Sequence, residues 1–442
     1  MSDLQTQLTR LCETPMPQAT RLQIYGKLVK VSGLTLEVVG CSLTLGQRCQ
    51  IATTDGKPLL AEVVGFDREV TYLTPLESLH GICAGARVTP MAGEQTIRIG
   101  EHLLGRVVDG LMQPLDGLPL DEEAGTAVPF HPTALNPLIR KTITEPLDVG
   151  IKAINGILTA GKGQRLGLFA GSGVGKSMLM GMMTRNTKAQ IVIVGLIGER
   201  GREVREFIEH SLGKEGLARA IVIAAPADQS PLLRLRAAEL CHRMAEYFRD
   251  AGHDVLMLMD SLTRYAQAHR EIALAIGEPP ATRGYPPSVF SLLTRLVERA
   301  GNGGHPQGSL TAFYTVLAEG DDQQDPVVDA ARAILDGHIV LTRQLAESGH
   351  YPAIDIAASV SRVMPQIVPP EWIKSAQRLR QFYSRYQQIK ELLPLGAYQA
   401  GSDPEMDQAV QRYPALAAFL KQGLYDQASL EDTLTQMKKI SG

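Results

Sequence analysis

The spacing of apolar residues divides the chain into regions of different texture. Between about 22 and 92 the chain has short β-like segments, such as 34–38, which alternates apolar and polar residues, and 59–64, and glycines separate them at turn spacing. This pattern is typical of half-buried β-strands. Several short strands in so short a stretch predict a small closed barrel, because closure removes the exposed edges of a sheet.

From about 140 to 365, continuous apolar runs alternate with segments of helical spacing. Buried strands separated by helices predict an α/β fold with a parallel sheet that is covered on both faces. The clearest strand predictions are 166–170, 190–198, 220–225 and 255–260. Beyond about 366 the strand pattern stops, and 371–393 and 405–421 have the spacing of helices.

The first residues carry a separate signal. Leu4, Leu8 and Leu11 lie at helical spacing and are followed by two prolines, which predicts a short N-terminal helix. A helix of this length is unstable alone. It therefore docks either on its own domain or on a partner, and the sequence leaves both open.

Composition narrows the class of protein. Of the 442 residues, 44% are apolar and 21% are charged, which excludes a disordered or fibrous chain. The net charge is −3, and residues 1–93 hold eight Lys or Arg against eight Asp or Glu, with only three aromatic rings. A barrel that binds single-stranded nucleic acid needs a basic groove lined with aromatic side chains. We therefore expect no nucleic-acid partner.

Cysteine spacing and hydropathy predict where in the cell the protein is located. The five cysteines are scattered and form no CxxC pair, which indicates a reducing environment. The N-terminal residues lack the basic start and apolar run of a signal peptide, and no apolar stretch is long enough to span a bilayer. We therefore expect a cytoplasmic protein.

The strongest local motif is a glycine-rich turn between a predicted strand and a predicted helix. Residues 169–177 read FAGSGVGKS, which fits the phosphate-loop pattern of Ala or Gly, four residues, Gly-Lys and then Ser or Thr. Glycines let successive backbone N–H groups face phosphate oxygens, and the helix adds the positive end of its dipole. The lysine reaches the β- and γ-phosphates, and the serine hydroxyl binds Mg²⁺. The predicted residues for a nucleoside triphosphate are Ala170, Gly171, Ser172, Gly173, Val174, Gly175, Lys176 and Ser177.

A second apolar run, at 255–260, ends in a carboxylate. Asp260 would lie at the carboxyl end of a buried strand, which is where α/β sheets bind their ligands. Together with the phosphate loop it predicts a Mg²⁺ site made by Ser177 and Asp260.

Between these two motifs, residues 197–204 read IGERGREV just after a predicted strand. Glu199 could polarise the attacking water while Arg200 neutralises phosphate oxygens. The same residues also suit an ordinary helix N-terminus with acidic residues in its first turn. Spacing alone does not separate the two interpretations.

These motifs, in this order, resemble the hexameric rotary ATPase family. The likeness is greatest to its type III secretion branch, and in particular to the flagellum-specific export ATPases. Residues 352–362, PAIDIAASVSR, fit the family signature. The other segments that carry the resemblance are 103–117, 145–177, 195–207, 260–274 and 277–290. Two departures are Ala170 in place of the common first glycine and Asn155 where relatives often have Asp.

The resemblance implies roles that spacing could not assign. Glu199 corresponds to the catalytic glutamate, and Arg362 to the arginine finger that reaches the nucleotide of a neighbouring subunit. Tyr351 falls where the family packs an aromatic ring on adenine, and Asp260 where it has the Mg²⁺-associated aspartate. The implied catalytic residues are Lys176, Glu199, Arg200 and Arg362, with ATP as substrate and Mg²⁺ as cofactor.

The resemblance also implies an architecture. It predicts a central RecA-like P-loop domain, an N-terminal β-barrel and a C-terminal helical domain. The predicted limits are 1–18 for a partner-binding helix, 19–93 for the barrel, 94–365 for the ATPase domain and 366–442 for the C-terminal helices.

Assembly and partners follow from the same resemblance. Because Glu199 and Arg362 occur in one chain, identical neighbours can complete every site, which predicts a homohexamer. The implied partners are a stator-like regulator at the N-terminus, a coiled-coil stalk inside the ring, membrane proteins of an export gate, and export chaperones with their substrates. The implied function is ATP hydrolysis that drives export of flagellar proteins at the inner membrane. A virulence injectisome ATPase is the alternative, and a proton-coupled synthase subunit is less favoured because the C-terminal region lacks an acidic DELSEED-like stretch.

Overall fold

The computed structural model describes residues 24–91, 95–317, 325–395, 397–399, 401 and 403–442. The helix predicted at 1–18 lies outside the described residues. The chain divides into two compact units, 1–92 and 93–442.

The first unit contains the predicted barrel, which the structure confirms. Its antiparallel strands close in the order β1–β2–β5–β4–β3–β6. Alternate side chains point inward, so that Leu36 and Val38 of one strand are buried together with Leu73 of its neighbour. The strands are β1 Gly26–Ser32, β2 Thr35–Val39, β3 Arg48–Ile51, β4 Leu59–Asp67, β5 Val70–Pro75 and β6 Arg87–Pro90.

The second unit is built on a sheet in which eight described strands have the order β16–β15–β10–β14–β13–β11–β12–β8. Neighbouring strands are parallel except for β15 and β16. The strands are β8 Val107–Val108, β10 Arg165–Ala170, β11 Ile191–Ile197, β12 Ala220–Ala225, β13 Asp254–Asp260, β14 Ser309–Leu317, β15 Gly337–Leu341 and β16 Ile354–Ser361. A separate ribbon pairs β7 Thr96–Ile99 with β9 Thr126–Pro129.

Burial explains why these strands are continuous apolar runs. Every residue of β11 and β12 is buried, because helices cover both faces of the sheet. The predicted α/β class is therefore confirmed. The four strands assigned from sequence correspond to β10, β11, β12 and β13, whereas β14 to β16 were not assigned individually.

The helices of the second unit are mainly short connections around the sheet. They are Lys152–Ile157, Lys176–Asn186, Gly201–Glu206, Gly213–Ala218, Pro231–Asp250, Leu262–Ala275, Pro287–Glu298, Pro326–Ile334, Arg343–Glu347, Met364–Ile367, Pro370–Ile389, Pro404–Leu420 and Leu430–Ser441. A π-helical segment, Phe207–Leu212, joins two of them. Across the described part of the chain, none of the helices has the length and apolar content to cross a membrane.

The C-terminal helices share the core of the sheet. Trp372 donates its indole N–H to the carbonyl of Gly156 over 2.7 Å. A Cβ at Gly156 would lie 3.1 Å from the Thr433 side chain, so helix Leu430–Ser441 packs closely against this glycine. Helix Leu430–Ser441 adds Met437 to the same core and was not foreseen from the sequence. The domain limit at 366 stays a prediction.

Candidate nucleotide-binding site

The strand order brings the ends of four strands together at one edge of the sheet. Strands β10, β11, β13 and β14 are parallel neighbours in the middle of the sheet, so their carboxyl ends meet at one edge. A cavity of about 940 Å³ opens there. Its size is within the usual range for small-molecule sites.

The phosphate loop forms one wall of this cavity. It leaves β10 at Ala170 and enters helix Lys176–Asn186. Gly173 and Gly175 have φ values of 78° and 89°, a left-handed conformation that side chains with a Cβ rarely adopt. The glycines are therefore required by the backbone path, as the motif predicted.

Three charged groups meet beneath the loop. Lys176 donates from Nζ to Oδ1 of Asp260 over 2.6 Å and to Oε1 of Glu199 over 3.3 Å. Thr315 on β14 donates to the same Asp260 oxygen over 2.6 Å. The side chains of Lys176, Glu199 and Asp260 are 11%, 14% and 3% exposed. Residues from three sequence motifs thus form one cluster, which we call the charge cluster.

The charge cluster has one cation for two carboxylates. Burial lowers the pKa of Lys176, but the attraction of Asp260 and Glu199 outweighs it and raises that pKa overall. Burial raises the pKa of Asp260, while Lys176 opposes the rise. Lys176 therefore stays protonated between two carboxyl groups, which are groups that a metal cation can also bind.

Glu199 and Arg200 come from the turn between β11 and helix Gly201–Glu206. Arg200 is the N-cap residue of that helix, and its side chain is 80% exposed at the cavity. Glu203 lies in the first helical turn and is 3.9 Å from Arg200. The segment therefore begins a helix and also places Glu199 against Lys176, and the catalytic roles of Glu199 and Arg200 stay predictions.

Tyr351 lies next to the phosphate loop although it is far away in sequence. Its ring carbons are 3.3 to 3.4 Å from the position that a Cβ would take at Gly175. The ring is 44% exposed and lines the cavity. An exposed aromatic ring at this place offers a flat apolar surface for a base.

Arg362 does not line this cavity. It follows β16, and its guanidinium donates to the carbonyls of Leu335 and Arg332 at the end of helix Pro326–Ile334, over 3.2 and 3.1 Å. A cation at this end of a helix is favourable. Within one chain the structure therefore separates Arg362 from the charge cluster.

Two residues of the site, one in the cavity lining and one behind Asp260, were missed in the sequence. Arg264 lies in the first turn of helix Leu262–Ala275, and its buried Nε has no hydrogen-bond partner among the described residues. Thr315 fixes Asp260, as described above. Arg264 lies four residues after Asp260, and this spacing could have identified it from the sequence. Thr315 could not be identified in this way, because its contact with Asp260 depends on the pairing of β13 with β14.

The donor set fits Mg²⁺ with a nucleotide phosphate. Asp260 supplies a carboxylate whose hydrogen bonds both end on Oδ1, and Ser177 is exposed at the start of its helix. Hydroxyl and carboxylate oxygens are ligands that Mg²⁺ prefers. The residues present therefore fit the metal as well as the phosphates.

Comparison with known proteins agrees with this site. The model of the ATP synthase alpha/beta family, nucleotide-binding domain, matches residues 150–361, and that of the T3SS EscN ATPase C-terminal domain matches 368–439. The flagellum-specific ATP synthase of Pseudomonas aeruginosa is 58% identical over 94% of this chain and 93% of its own length. That of Salmonella typhimurium is 54% identical over 97% and 96%. The type 3 secretion system ATPase of Xanthomonas euvesicatoria is 46% identical over 98% and 99%.

A solved structure gives the same result for the fold. The assembled ATPase EscN from the type III secretion system of enteropathogenic E. coli aligns with a TM-score of 0.87 and 40% identity, over 94% of this chain and all of that one. The phosphate loop, the charge cluster and these likenesses agree with one another. The chain therefore belongs to the ATP synthase alpha/beta family, as a P-loop ATPase of its type III secretion branch.

Proposed function

We propose that the protein hydrolyses ATP with Mg²⁺ and that this reaction drives export of flagellar proteins. The observation that carries the proposal is the charge cluster, in which Lys176 is held between Glu199 and Asp260 beneath the phosphate loop. Ser177 and Asp260 would hold Mg²⁺, which would neutralise charge on the phosphate oxygens.

Each side chain of the site has a task in this reaction. Lys176 leaves its carboxylates and contacts the β- and γ-phosphates, which frees Glu199 to accept a hydrogen bond from the attacking water. Arg200 and the loop N–H groups stabilise the charge on the transferred phosphoryl group. Tyr351 packs on the adenine.

The site is completed by a second copy of the chain. Arg362 lies away from the charge cluster of its own chain, and its exposed position suits a finger that enters the neighbour's cavity. Identical subunits that each carry both Glu199 and Arg362 form a closed homohexamer. The assembled state of the related EscN supports this arrangement.

The proposed partners are those of an export apparatus. EscN has also been solved in complex with its central stalk EscO, with a TM-score of 0.86 to this chain. A coiled-coil stalk in the ring, a stator-like regulator at the N-terminus, export-gate membrane proteins and export chaperones with their substrates complete the proposal. The protein acts in the cytoplasm, peripherally at the inner membrane. The two flagellar relatives described above are 58% and 54% identical to this chain, against 46% for the type 3 secretion system ATPase, which favours flagellar export.

Complementation tests this function. In bacteria that lack their flagellum-specific ATPase, the chain should restore motility and secretion of flagellar proteins, while a Lys176→Ala variant at equal abundance should not. Restoration of secretion in an injectisome mutant, without flagellar secretion in the flagellar mutant, would contradict the flagellar assignment.

A further inference from the structure

A second cavity opens at the opposite edge of the same sheet. It has a volume of about 750 Å³. Arg165 at the start of β10 and Arg249 near the end of helix Pro231–Asp250 belong to its lining, which places it at the amino ends of the strands. Nothing in the proposed reaction uses it. We call it the arginine cavity.

Most of the charges in the arginine cavity neutralise each other in pairs. Arg165 binds Glu298 over 3.0 Å, Arg249 binds Asp250 over 2.8 Å, and Arg299 binds Glu246 through two hydrogen bonds of 2.8 Å. These pairs leave no charge for a ligand.

Two cations in the lining have no carboxylate partner. Arg140 donates to the backbone carbonyls of Ala300 and Glu298 over 2.6 and 3.0 Å. Arg295 is exposed at the cavity and has neither a hydrogen bond nor an ion pair with a described residue. Five arginines face four carboxylates, so the lining has an excess of positive charge.

The remaining carboxyl, Glu239, increases that excess. It too makes no hydrogen bond or ion pair with a described residue. Burial raises its pKa, and Arg299, His131 and Arg295 oppose the rise. A carboxyl that keeps its proton is a hydrogen-bond donor, as well as losing its charge.

Much of the remaining lining is apolar. Leu292 and Leu296 face the cavity from helix Pro287–Glu298, and Leu135 faces it from the segment between β9 and β10. A ligand that fills such a site has an apolar body and one charged group. The surplus of arginines fixes the sign of that charge.

We propose that the arginine cavity binds a small organic anion, a carboxylate with an apolar body, whose charged group pairs with Arg295. The protonated Glu239 carboxyl donates a hydrogen bond to the anion and keeps its proton, and the apolar body packs on Leu292 and Leu296. The site is separate from the nucleotide cavity, because the two lie at opposite edges of the sheet.

Benzoate and benzamidine make a suitable pair of probes, since they have nearly the same shape and opposite charges. Calorimetry on the full chain, with saturating MgADP to fill the phosphate loop, should show binding of benzoate and none of benzamidine. Arg295→Ala should weaken benzoate binding about tenfold, the usual cost of losing a charged hydrogen bond. Lys374→Ala removes the same charge from an exposed helix position outside both cavities and should change nothing.

Two further variants guard against a misleading loss of binding. Arg295→Glu should exchange the preference, so that benzamidine binds and benzoate does not. Glu239→Gln keeps a donor without the charge and should retain benzoate. Equal affinities in Arg295→Ala and Lys374→Ala, no binding of benzoate to the parent, or a preference of the parent for benzamidine would overturn the proposal. So would a change of oligomeric state in Arg295→Ala by sedimentation velocity, because it would assign the cavity to an acidic side chain of a neighbouring copy.

Discussion

The two edges of the central sheet use charged residues in opposite ways. At the carboxyl edge a single lysine, Lys176, is shared by two carboxylates. At the amino edge Arg299 holds Glu246 through two matched hydrogen bonds. In the proposed reaction the shared lysine exchanges its carboxylate partners for phosphate oxygens, and Mg²⁺ would take its place beside them. The pair of Arg299 and Glu246 satisfies both of its members and has no partner to exchange for a ligand. It therefore stabilises the fold.

This difference teaches how a ligand site is recognised among buried charges. A bidentate pair of one arginine and one carboxylate satisfies both groups. The protein loses stability only when one partner is removed. An unequal cluster is completed by what it binds. Variants at the two edges should therefore lose different properties, catalysis at one and stability at the other.

The largest effect is expected at Lys176. Lys176→Ala removes the contact to the β- and γ-phosphates and should nearly abolish ATP turnover, measured as phosphate release under saturating MgATP. Turnover within a factor of two of the parent would contradict the phosphate-loop assignment.

Arg362→Ala should lower turnover by roughly 10³ to 10⁵, because an arginine finger of this kind stabilises charge that develops in the transition state. ATP binding to its own phosphate loop should be nearly unchanged. Mixed with Lys176→Ala, it should recover part of the parental rate, with a maximum near equal proportions. If mixed rings form and no ratio restores activity, Arg362 does not act on the neighbouring site.

Glu199→Gln should lower turnover by about 10² to 10⁴, the usual contribution of a positioned general base. The amide fills the same space but cannot accept the proton, so nucleotide affinity, measured by calorimetry, should be retained. A parallel loss of affinity and turnover would indicate a structural role instead.

The smallest effect on catalysis, and the largest on stability, is expected at the amino edge. Glu246→Gln leaves Arg299 buried without its charge partner and should cost about 3–5 kcal/mol of unfolding free energy. Denaturant unfolding measures this cost. The exposed pair of Arg385 and Glu405, at 2.8 Å, is the control, and Glu405→Gln should cost at most about 1 kcal/mol. Similar costs in the two variants would remove the distinction between the edges.

The Glu246 pair also has a pH dependence of known sign. Burial by itself raises the pKa of Glu246, but the hydrogen bonds and charge of Arg299 outweigh it, and the pKa is lowered overall. The stabilisation is therefore present above the ordinary glutamate pKa and is lost as pH falls through the lowered value. Glu246→Gln should remove that part of the acid dependence.

Local chemistry could be predicted from the sequence, and contacts across strands could not. The phosphate loop at 170–177 and the carboxylate at Asp260 follow from glycine spacing and the end of an apolar run. The hydrogen bond of Thr315 to Asp260 depends on strand register, which no single run specifies. The position of Arg362 at a helix end became visible only with the fold.

Helix Leu262–Ala275 places consecutive residues at different cavities. Arg264 lines the nucleotide cavity and Tyr265 lines the arginine cavity. A displacement of this helix would therefore change the shape of both cavities. Thermodynamic reciprocity then applies to the two ligands. If a ligand in the arginine cavity changes the affinity for nucleotide by some factor, bound nucleotide changes the affinity for that ligand by the same factor.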